Sequence, residues 1–333
     1  MTTTITTTTT ATLQRSRTLT GLKPTGRLQL GNLLGAIRPM VQAQESSESI
    51  VMIVDLHALT VEHDPQRVRE LTLEQAGVLL ACGVDPARTT IYVQSHLSEH
   101  AQLHYLLECT TGFGEARRMI QFREGMSGPD PVRLSLLTYP VLMAADILLH
   151  DTDEVPVGED QSQHLELARD VAYRFNTRYG KTFTVPRGVL PSFAARIMDL
   201  SDPKVKMGKS NKVTSGVIGL LDPPDMVRRK IMRAVTDTGG VVRHDRERQP
   251  GVTNLLEIYH ALGAATEFSS YGHLKEAVAD AVIAVLEPIQ RRFAALDSGE
   301  VAAVLREGAQ RARPRAAATL RRAQEAIGLV PAS

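Results

Sequence analysis

The chain has 333 residues, a formal net charge of +1 and a hydrophobic fraction of 43%. Its length allows one large α/β domain and a second, smaller one, because a single hydrophobic core rarely grows beyond about 250–300 residues. No apolar run reaches the roughly 18 residues of a membrane-spanning helix, so we expect no membrane protein. A nearly neutral chain would bind nucleic acid through a local basic patch. The arginines at 311–315, 321 and 322 are one candidate, although a solvated helix face is the simpler interpretation.

The first half of the sequence has the pattern of an α/β protein. Residues 1–16 are mostly threonine and predict a disordered tail without a secretory signal. Short β-branched runs then alternate with longer helical patterns, which is typical of a parallel sheet with crossover helices. The predicted elements are a strand at 17–22, a helix from about 31, a strand at 49–55, a helix at 65–81 and a strand at 89–94.

The second half changes in character. Residues 99–150 predict helices inserted between the two halves of the sheet, followed by a strand at 154–158 and a helix at 160–179. Strand patterns end after about residue 220. Helical periods at 223–235, 252–262, 273–296 and 299–327 then predict an α-helical region. We expect an α/β domain at 17–212 and a helical domain at 213–333.

The two cysteines carry little functional signal. Cys82 and Cys109 lie in apolar helical patterns, at a spacing that suggests neither a zinc site nor a redox pair. We expect two buried free thiols and a cytoplasmic protein, because a reducing compartment keeps thiols free.

A glycine-containing loop at 21–35 connects the first strand to a helix. Backbone N–H groups at a helix start attract phosphate, and Gly21, Gly26 and Gly31 would let a nucleotide approach closely. The loop matches neither G-x-G-x-x-G nor a P-loop. An ordinary strand-to-helix turn is therefore an equally good interpretation.

The segment K-M-G-K-S at 206–210 ends like a P-loop, but that motif needs a glycine where this chain has Pro203. It predicts instead a loop whose lysines, Lys204, Lys206, Lys209 and Lys212, would neutralise a triphosphate. A solvated lysine loop is the alternative.

One predicted helix carries a carboxylate on an apolar face. Tyr139, Met143, Asp146 and Ile147 are spaced so that they share that face. An unpaired buried carboxylate is costly, so Asp146 should accept a hydrogen bond. Its donor would be either a ligand or a group of the protein itself.

Residues 155–164 bring acids and polar side chains to the end of a strand, with the sequence V-P-V-G-E-D-Q-S-Q-H. Ligands of open α/β sheets bind at the carboxyl ends of the strands, which favours ligand contact here. Capping of the next helix by Glu159 and Asp160 is the plain alternative.

Together these stretches resemble the class I tryptophanyl-tRNA synthetases, from about residue 19 to the last helix. The resemblance rests on four segments: D-x-H-A-x-T at 55–60, L-x-T-Y-P-x-L-M-A-A-D-I-L-L at 136–149, V-P-V-G-E-D-Q-x-Q-H-L-E-L-A-R-D at 155–170, and the K-M-x-K-S loop. It implies a Rossmann-like parallel-sheet catalytic domain, a C-terminal helical domain that recognises the anticodon, and a homodimer.

The resemblance also implies the reaction. ATP would activate L-tryptophan to the adenylate with release of pyrophosphate, and tryptophan would then pass to the terminal ribose of tRNA(Trp). Mg²⁺ would be held mainly by the ATP phosphates, and no metal site made of protein side chains is expected. No covalent enzyme intermediate is required, because the sequence has no recognisable nucleophile with its base.

The residue roles are likewise implied by the resemblance. Catalysis would depend on Asn32, Lys206 and Lys209. ATP would contact Lys23, Pro24, Thr25, Gly31, Asn32, Gly158, Glu159, Asp160, Ile197, Lys206, Met207, Gly208, Lys209 and Ser210. Tryptophan would contact Leu19, Gly21, His57, Tyr139, Met143, Asp146, Ile147, Val155, Val157 and Gln161. Asp146 would accept the indole N–H.

Three residues depart from the family's pattern. Gln29 occupies the first position of the "HIGH" element, where relatives usually have Thr, Ser or His. Gly208 replaces the serine of K-M-S-K-S, and Lys23 replaces a glutamine. We hypothesise that Lys23 weakens the binding of tryptophan-analogue inhibitors more than that of tryptophan itself, and equal inhibition constants for Lys23→Gln and the parent would refute this. Neutral drift is the alternative.

Two other functions stay open. A tyrosyl-tRNA synthetase has the same architecture but needs hydrogen-bonding partners for a phenol hydroxyl, and the G-E-D-Q and M-A-A-D segments favour tryptophan. A catalytically silent relative would bind tRNA or tryptophan as a sensor. Lys206 and Lys209 argue against it, whereas Gln29 and Gly208 leave it open.

Overall fold

The computed structural model describes residues 15–126, 132–158, 162–189, 196–208, 215–264 and 266–330. Its strands are β1 (Arg17–Leu22), β2 (Glu48–Ile53), β3 (Thr89–Val93), β4 (Glu154–Pro156) and β5 (Arg187–Val189). They form one parallel sheet in the order β3-β2-β1-β4-β5. The strand order reverses between β1 and β4, and ligands of open α/β sheets bind at such switch points.

Helices cover both faces of the sheet and continue beyond it. In chain order they are α1 (Leu30–Asn32), a π-helical turn (Leu33–Ile37), α2 (Arg38–Ala43), α3 (Asp55–Ala58), α4 (Pro65–Ala81), a 3-10 turn (Gln94–His96), α5 (Glu99–Glu108), α6 (Phe113–Arg117), α7 (Ile120–Met126), α8 (Leu134–Leu149), α9 (Ser162–Tyr179), α10 (Pro224–Met232), α11 (Pro250–Ala261), α12 (Tyr271–Ala295) and α13 (Ser298–Ala326). No helix in the described ranges is long and apolar enough to cross a membrane.

Helices and strands with strong local sequence signals form where the sequence predicts them. Helix α4 has both predicted ends: Asp64 accepts the Gln66 N–H at 2.8 Å, Pro65 stands at the first position, and Gly83 follows with a φ of +103°. The helical insertion forms α5 to α8. The predicted strand at 49–55 ends earlier, at Ile53. Strand β5 was not predicted, because three residues with a central glycine are too short to show an alternating pattern.

Two hydrophobic clusters lie on opposite faces of the sheet, because successive strand side chains point to opposite sides. Val51 and Ile53 of β2 point into a cluster shared with α2, α4 and α10 to α12. Ile50 and Met52 point into a second cluster shared with α5, α8, α9 and α13. The C-terminal helices therefore contribute to the same cores as the sheet.

Several of the arginines that the sequence suggested as a nucleic-acid-binding patch instead hold the last helix in place. Helix α13 packs against β3, α4, α5 and α8. Arg311 donates to the Thr89 carbonyl at 3.2 Å, and Arg315 pairs with Glu48. Arg322 pairs with Asp151 at 2.6 Å. These arginines dock the helix, a role that neither interpretation of the sequence anticipated.

The cysteines differ in their surroundings. Cys82 is half-buried, and burial raises the pKa of its thiol to about 12. Cys109 is exposed at the end of α5. The expectation of a buried thiol is wrong for Cys109, because the helix has already ended there and the residue no longer follows its apolar face.

We predict that Gly308→Ala destabilises the protein. A Cβ on Gly308 would lie 1.7 Å from the carbonyl oxygen of Ile91, so α13 would have to move away from β3. We expect a loss of at least about 2 kcal/mol in the free energy of unfolding, measured by urea denaturation, since overpacking costs ~1–3 kcal/mol or more. Gly114→Ala is the matched control, because nothing lies within 4 Å of a Cβ there. Equal stability of the two variants would contradict the prediction.

Candidate active site

Several of the predicted tryptophan-contacting residues belong to the hydrophobic cluster that β1 and β4 share with α8. Leu19 of β1, Val155 of β4 and Ile147 of α8 are buried in one cluster. Met143 and Val157 are partly buried against it. A further member of the set, Gly21, lies near the end of β1, where an added Cβ would approach Val54 to 3.1 Å. The structure thus brings these predicted residues together as an apolar wall.

A single carboxylate lies beside this wall. Asp146 is only 2% exposed. His57 Nε2 lies 2.8 Å from its Oδ2, and Gln94 Nε2 donates to Oδ1 at 2.7 Å and to Oδ2 at 2.9 Å. His100 Nδ1 lies 2.7 Å from Oδ1, although the ring is turned so that its N–H points off the straight line to that oxygen. The donor that the sequence left open is therefore a set of protein groups.

These contacts decide the charge of Asp146. Burial alone would raise its pKa. Hydrogen bonds from His100 and His57, and the charges on those rings, outweigh burial and hold the pKa well below its usual range. Asp146 is thus an ionised carboxylate at neutral pH, able to accept hydrogen bonds but not to donate them.

One of the three groups that contact Asp146 was predicted from the sequence. His57 was predicted as a site residue, and it also makes an edge contact with Tyr139, with ring centroids 6.1 Å apart. Gln94 and His100 were missed. Gln94 directly follows β3, so the rule that ligand-binding groups follow the carboxyl ends of strands would have found it. His100 lies within α5 and has no comparable signal.

Lys23 connects the predicted ATP and tryptophan sets. Its Nζ donates to Thr60 Oγ1 at 3.1 Å, and Thr60 Oγ1 donates to the carbonyl of His57 at 2.9 Å. Burial lowers the pKa of Lys23. The two following residues of the predicted set are Pro24, which is buried, and Thr25, which is exposed.

Gln29 bridges the two segments that were predicted to hold ATP. It caps α1, where its Oε1 accepts the N–H of Gly31 and its own N–H donates to Asn32 Oδ1 at 3.1 Å. Its Nε2 donates to the carbonyl of Met207 at 2.8 Å. The side chain is 3% exposed, so both bonds are shielded from water. Gln29 therefore links the start of α1 directly to the lysine loop.

The lysine loop lies beside Ile197. Met207 donates to the Ile197 carbonyl at 3.0 Å, and Met198 pairs with Lys206 across the same short bridge. Asn254 of α11 fixes this bridge, since its Oδ1 accepts the Met198 N–H at 2.8 Å and its Nδ2 donates to the Met198 carbonyl at 2.9 Å. Three members of the predicted ATP set are therefore adjacent.

The remaining predicted residues divide into two groups. Gly158 is exposed just beyond β4, and Gly208 is partly buried after Met207. Five lie outside the described residues: Glu159, Asp160, Gln161, Lys209 and Ser210. In the part of the chain that the structure describes, no group of three or more His, Cys, Asp or Glu could hold a metal ion.

Comparisons with known proteins agree with one another. Residues 12–287 match the family model "tRNA synthetases class I (W and Y)". Tryptophan–tRNA ligase 1 of Streptomyces avermitilis is 54% identical, covering 95% of this chain and 99% of that protein. The tryptophanyl-tRNA synthetase structure from Mycoplasma pneumoniae has a TM-score of 0.88 at 37% identity, covering 95% of this chain and 98% of its own. The Campylobacter jejuni enzyme, complexed with ADP and tryptophan, has a TM-score of 0.82 at 31% identity, covering 94% and 100%.

We predict that Gln29→Ala loosens the lysine loop. The substitution leaves the Met207 carbonyl and the Gly31 N–H without their buried partner, at a cost of about 1–3 kcal/mol. Hydrogen exchange at residues 206–208 should accelerate, as followed by mass spectrometry. Gln66→Ala is the control, because that amide is exposed and pairs only with Glu70 on the same helix, at 2.9 Å. Parental exchange rates at 206–208 in Gln29→Ala would refute the link.

Proposed function

Because the chain belongs to the class I tRNA synthetases for tryptophan and tyrosine, we propose that the residues of its candidate site divide between tryptophan and ATP. The activity is that of a tryptophan–tRNA ligase, EC 6.1.1.2. The tyrosine-specific and catalytically silent alternatives both give way to this assignment. The observation that carries our proposal is the ionised Asp146 beside an apolar wall.

The tryptophan site is proposed at Asp146. An indole ring needs apolar contacts and one acceptor for its N–H, and α8 carries both Asp146 and apolar residues of one buried cluster. Leu19, Ile147 and Val155 would contact the ring face, with Met143 and Val157 at its edges. Asp146 would accept the indole N–H. Gln161, together with Gly21, would hold the amino and carboxylate groups.

The ATP site is proposed between the start of α1 and the lysine loop. Gly31 and Asn32 would face the phosphates at the helix N-terminus, where the dipole favours negative charge. The backbone of Ile197, with Gly158, Glu159 and Asp160, would contact the adenosine. The contact from Gln29 to Met207 supports this arrangement, because it keeps the two phosphate-binding segments together.

The first chemical step is a displacement at phosphorus. A carboxylate oxygen of tryptophan would attack the α-phosphorus of ATP, the bond to the bridging oxygen would break, and pyrophosphate would leave. Lys206 and Lys209 would stabilise the charge that develops on the leaving group, which is catalysis by positioning and electrostatics. Mg²⁺ bound to the phosphates would supply further charge neutralisation.

The second step transfers tryptophan to tRNA(Trp). The 2′-hydroxyl of the terminal ribose would attack the carbonyl of the adenylate, and AMP would leave. We propose residues 17–212 as the catalytic domain and residues 213–333 as the helical domain that contacts the anticodon. We propose that the protein acts in the cytoplasm, where tryptophan, ATP and tRNA meet.

We propose that the protein is a homodimer that associates through its helical insertion. Five large apolar side chains there are each more than half exposed: Tyr105, Phe113, Ile120, Met126 and Leu134. They lie on α5 to α8, four helices that contact one another. Apolar patches of this kind on soluble proteins usually mark interaction sites. We call this set the insertion surface.

The Lys23 hypothesis stays untested. Its bond to Thr60 holds the cation beside His57, which belongs to the tryptophan set, and this proximity is the reason to retain the hypothesis.

We predict that pyrophosphate exchange into ATP depends on tryptophan among the twenty amino acids and is impaired by Asp146→Ala. Loss of a hydrogen bond to a charged group, worth about 1.5–3 kcal/mol, should raise the KM for tryptophan about 10- to 100-fold. Asp280→Ala is the control, because that carboxylate is exposed and pairs with Arg228 at 2.6 Å on the helical region. Exchange with tyrosine, or a parental KM in Asp146→Ala, would contradict the proposed pocket.

We also predict that Phe113→Glu separates the dimer into monomers in sedimentation velocity. Placing a carboxylate in an apolar interface should weaken association at least about tenfold, because the charge must lose its water. Val241→Glu is the control, since Val241 is an exposed apolar residue beyond α10. Parent and Phe113→Glu sedimenting alike would exclude the insertion surface as the dimer contact.

A further inference from the structure

A row of buried polar rings extends from Asp146 into the protein interior. Beyond His100, the Tyr92 Oη lies 2.9 Å from His100 Nε2 and 2.6 Å from His150 Nε2. His100, Tyr92 and His150 are each completely buried. They come from α5, β3 and the residue after α8. None of the three takes part in the reaction proposed above.

Asp146 stands at one end of this row. The ionised carboxylate can only accept, so His100 Nδ1, which faces it, carries a proton. The Tyr92 hydroxyl lies within hydrogen-bond distance of both His100 Nε2 and His150 Nε2, and so joins the two rings. The row is therefore a continuous chain of hydrogen-bonding groups that ends on one carboxylate.

The pKa values of Tyr92 and His150 are both shifted in the direction that burial predicts. Burial raises the pKa of Tyr92 well above its usual value, with further contributions from Asp146 and Glu99. Burial lowers the pKa of His150 well below its usual value, and His100 and two nearby arginines add to this. Tyr92 thus keeps its hydroxyl proton, and His150 stays uncharged near neutral pH.

We propose that Tyr92 and His100, with His150 behind them, are positioning residues that set the preference of Asp146 for an indole N–H. This proposal rests on the proposed tryptophan site. Hydrogen bonds in series polarise one another, so each group behind His100 strengthens the bond that fixes the carboxylate. The network holds the carboxylate in place without touching the substrate.

The contacts at Asp146 show how a ligand N–H is accommodated. Oδ1 is held by His100 and Gln94, and Oδ2 is held by His57 and by the same Gln94 nitrogen. Gln94 can give up its 2.9 Å contact to Oδ2 and keep its 2.7 Å contact to Oδ1. That exchange frees one acceptor position on Oδ2, while His100 prevents the carboxylate from turning with it.

The test compares tryptophan with β-(benzo[b]thiophen-3-yl)-L-alanine, in which sulfur replaces the indole N–H. The measured quantity is the ratio of kcat/KM for the two amino acids in pyrophosphate exchange. Tyr92→Phe removes only the hydroxyl, and with it one hydrogen bond to His100. The ratio should fall about tenfold, through a higher KM for tryptophan. The KM for ATP should stay parental.

A control separates positioning from stability. Phe183→Leu weakens a buried ring contact with Phe175, whose centroid lies 4.9 Å away, in the same core. It should lower the melting temperature and leave the ratio unchanged. A parental ratio in folded Tyr92→Phe, or an equal fall in Phe183→Leu, overturns the positioning role.

A second pair keeps the proposal testable if Tyr92→Phe does not fold. His150→Gln retains a hydrogen-bonding group near the Nε2 position, whereas His150→Leu removes it. The ratio should stay close to parental in His150→Gln and fall in His150→Leu, and equal ratios would overturn the series. If the parent shows no preference for tryptophan, or Asp146→Ala retains it, the proposed tryptophan site itself is wrong.

Discussion

The structure depends on one electrostatic constraint, the burial of a single carboxylate on an apolar helix. Asp146 is 2% exposed, and its charge is tolerated because donors reach it from separate parts of the fold. His57 follows β2, Gln94 follows β3, and His100 lies on α5. These segments converge only if the parallel sheet is correctly ordered and the insertion folds back over it. The fold therefore tolerates the buried charge of Asp146 only when the sheet has this strand order.

A second constraint acts on the phosphate side. The start of α1 and the bridge around Ile197 belong to segments more than 160 residues apart, and both must be close to one ligand. Gln29 connects them with the two ends of one amide group. A shorter Thr or Ser could cap the helix, but its side chain could not also reach the Met207 carbonyl. Gln29 therefore connects the two segments more firmly than a Thr or Ser at the same position would.

The sequence predicted what is encoded locally and missed what depends on distant partners. Helix α4 was located at both ends because its proline and glycine signals lie at the start of the helix and just beyond its end. The common face of Tyr139, Met143, Asp146 and Ile147 followed from helical periodicity alone. His100 was missed because its partner Asp146 is 46 positions away, and nothing around His100 marks it. The same holds for Arg315, whose role depends on Glu48 at the other end of the chain.

The C-terminal helix shows how these constraints are coupled. Arg313 of α13 donates to the His96 carbonyl at 2.8 Å and lies 3.4 Å from Glu99, the residue before His100. Small side chains of α13, including Ala309, Ala312 and Ala316, lie in the same cluster as the buried residues of α5 and α8. Docking of α13 therefore fixes the position of the helix that carries His100, and with it the orientation of Asp146. Residues that touch neither tryptophan nor ATP thus contribute to specificity, because the site is assembled from elements that α13 holds together.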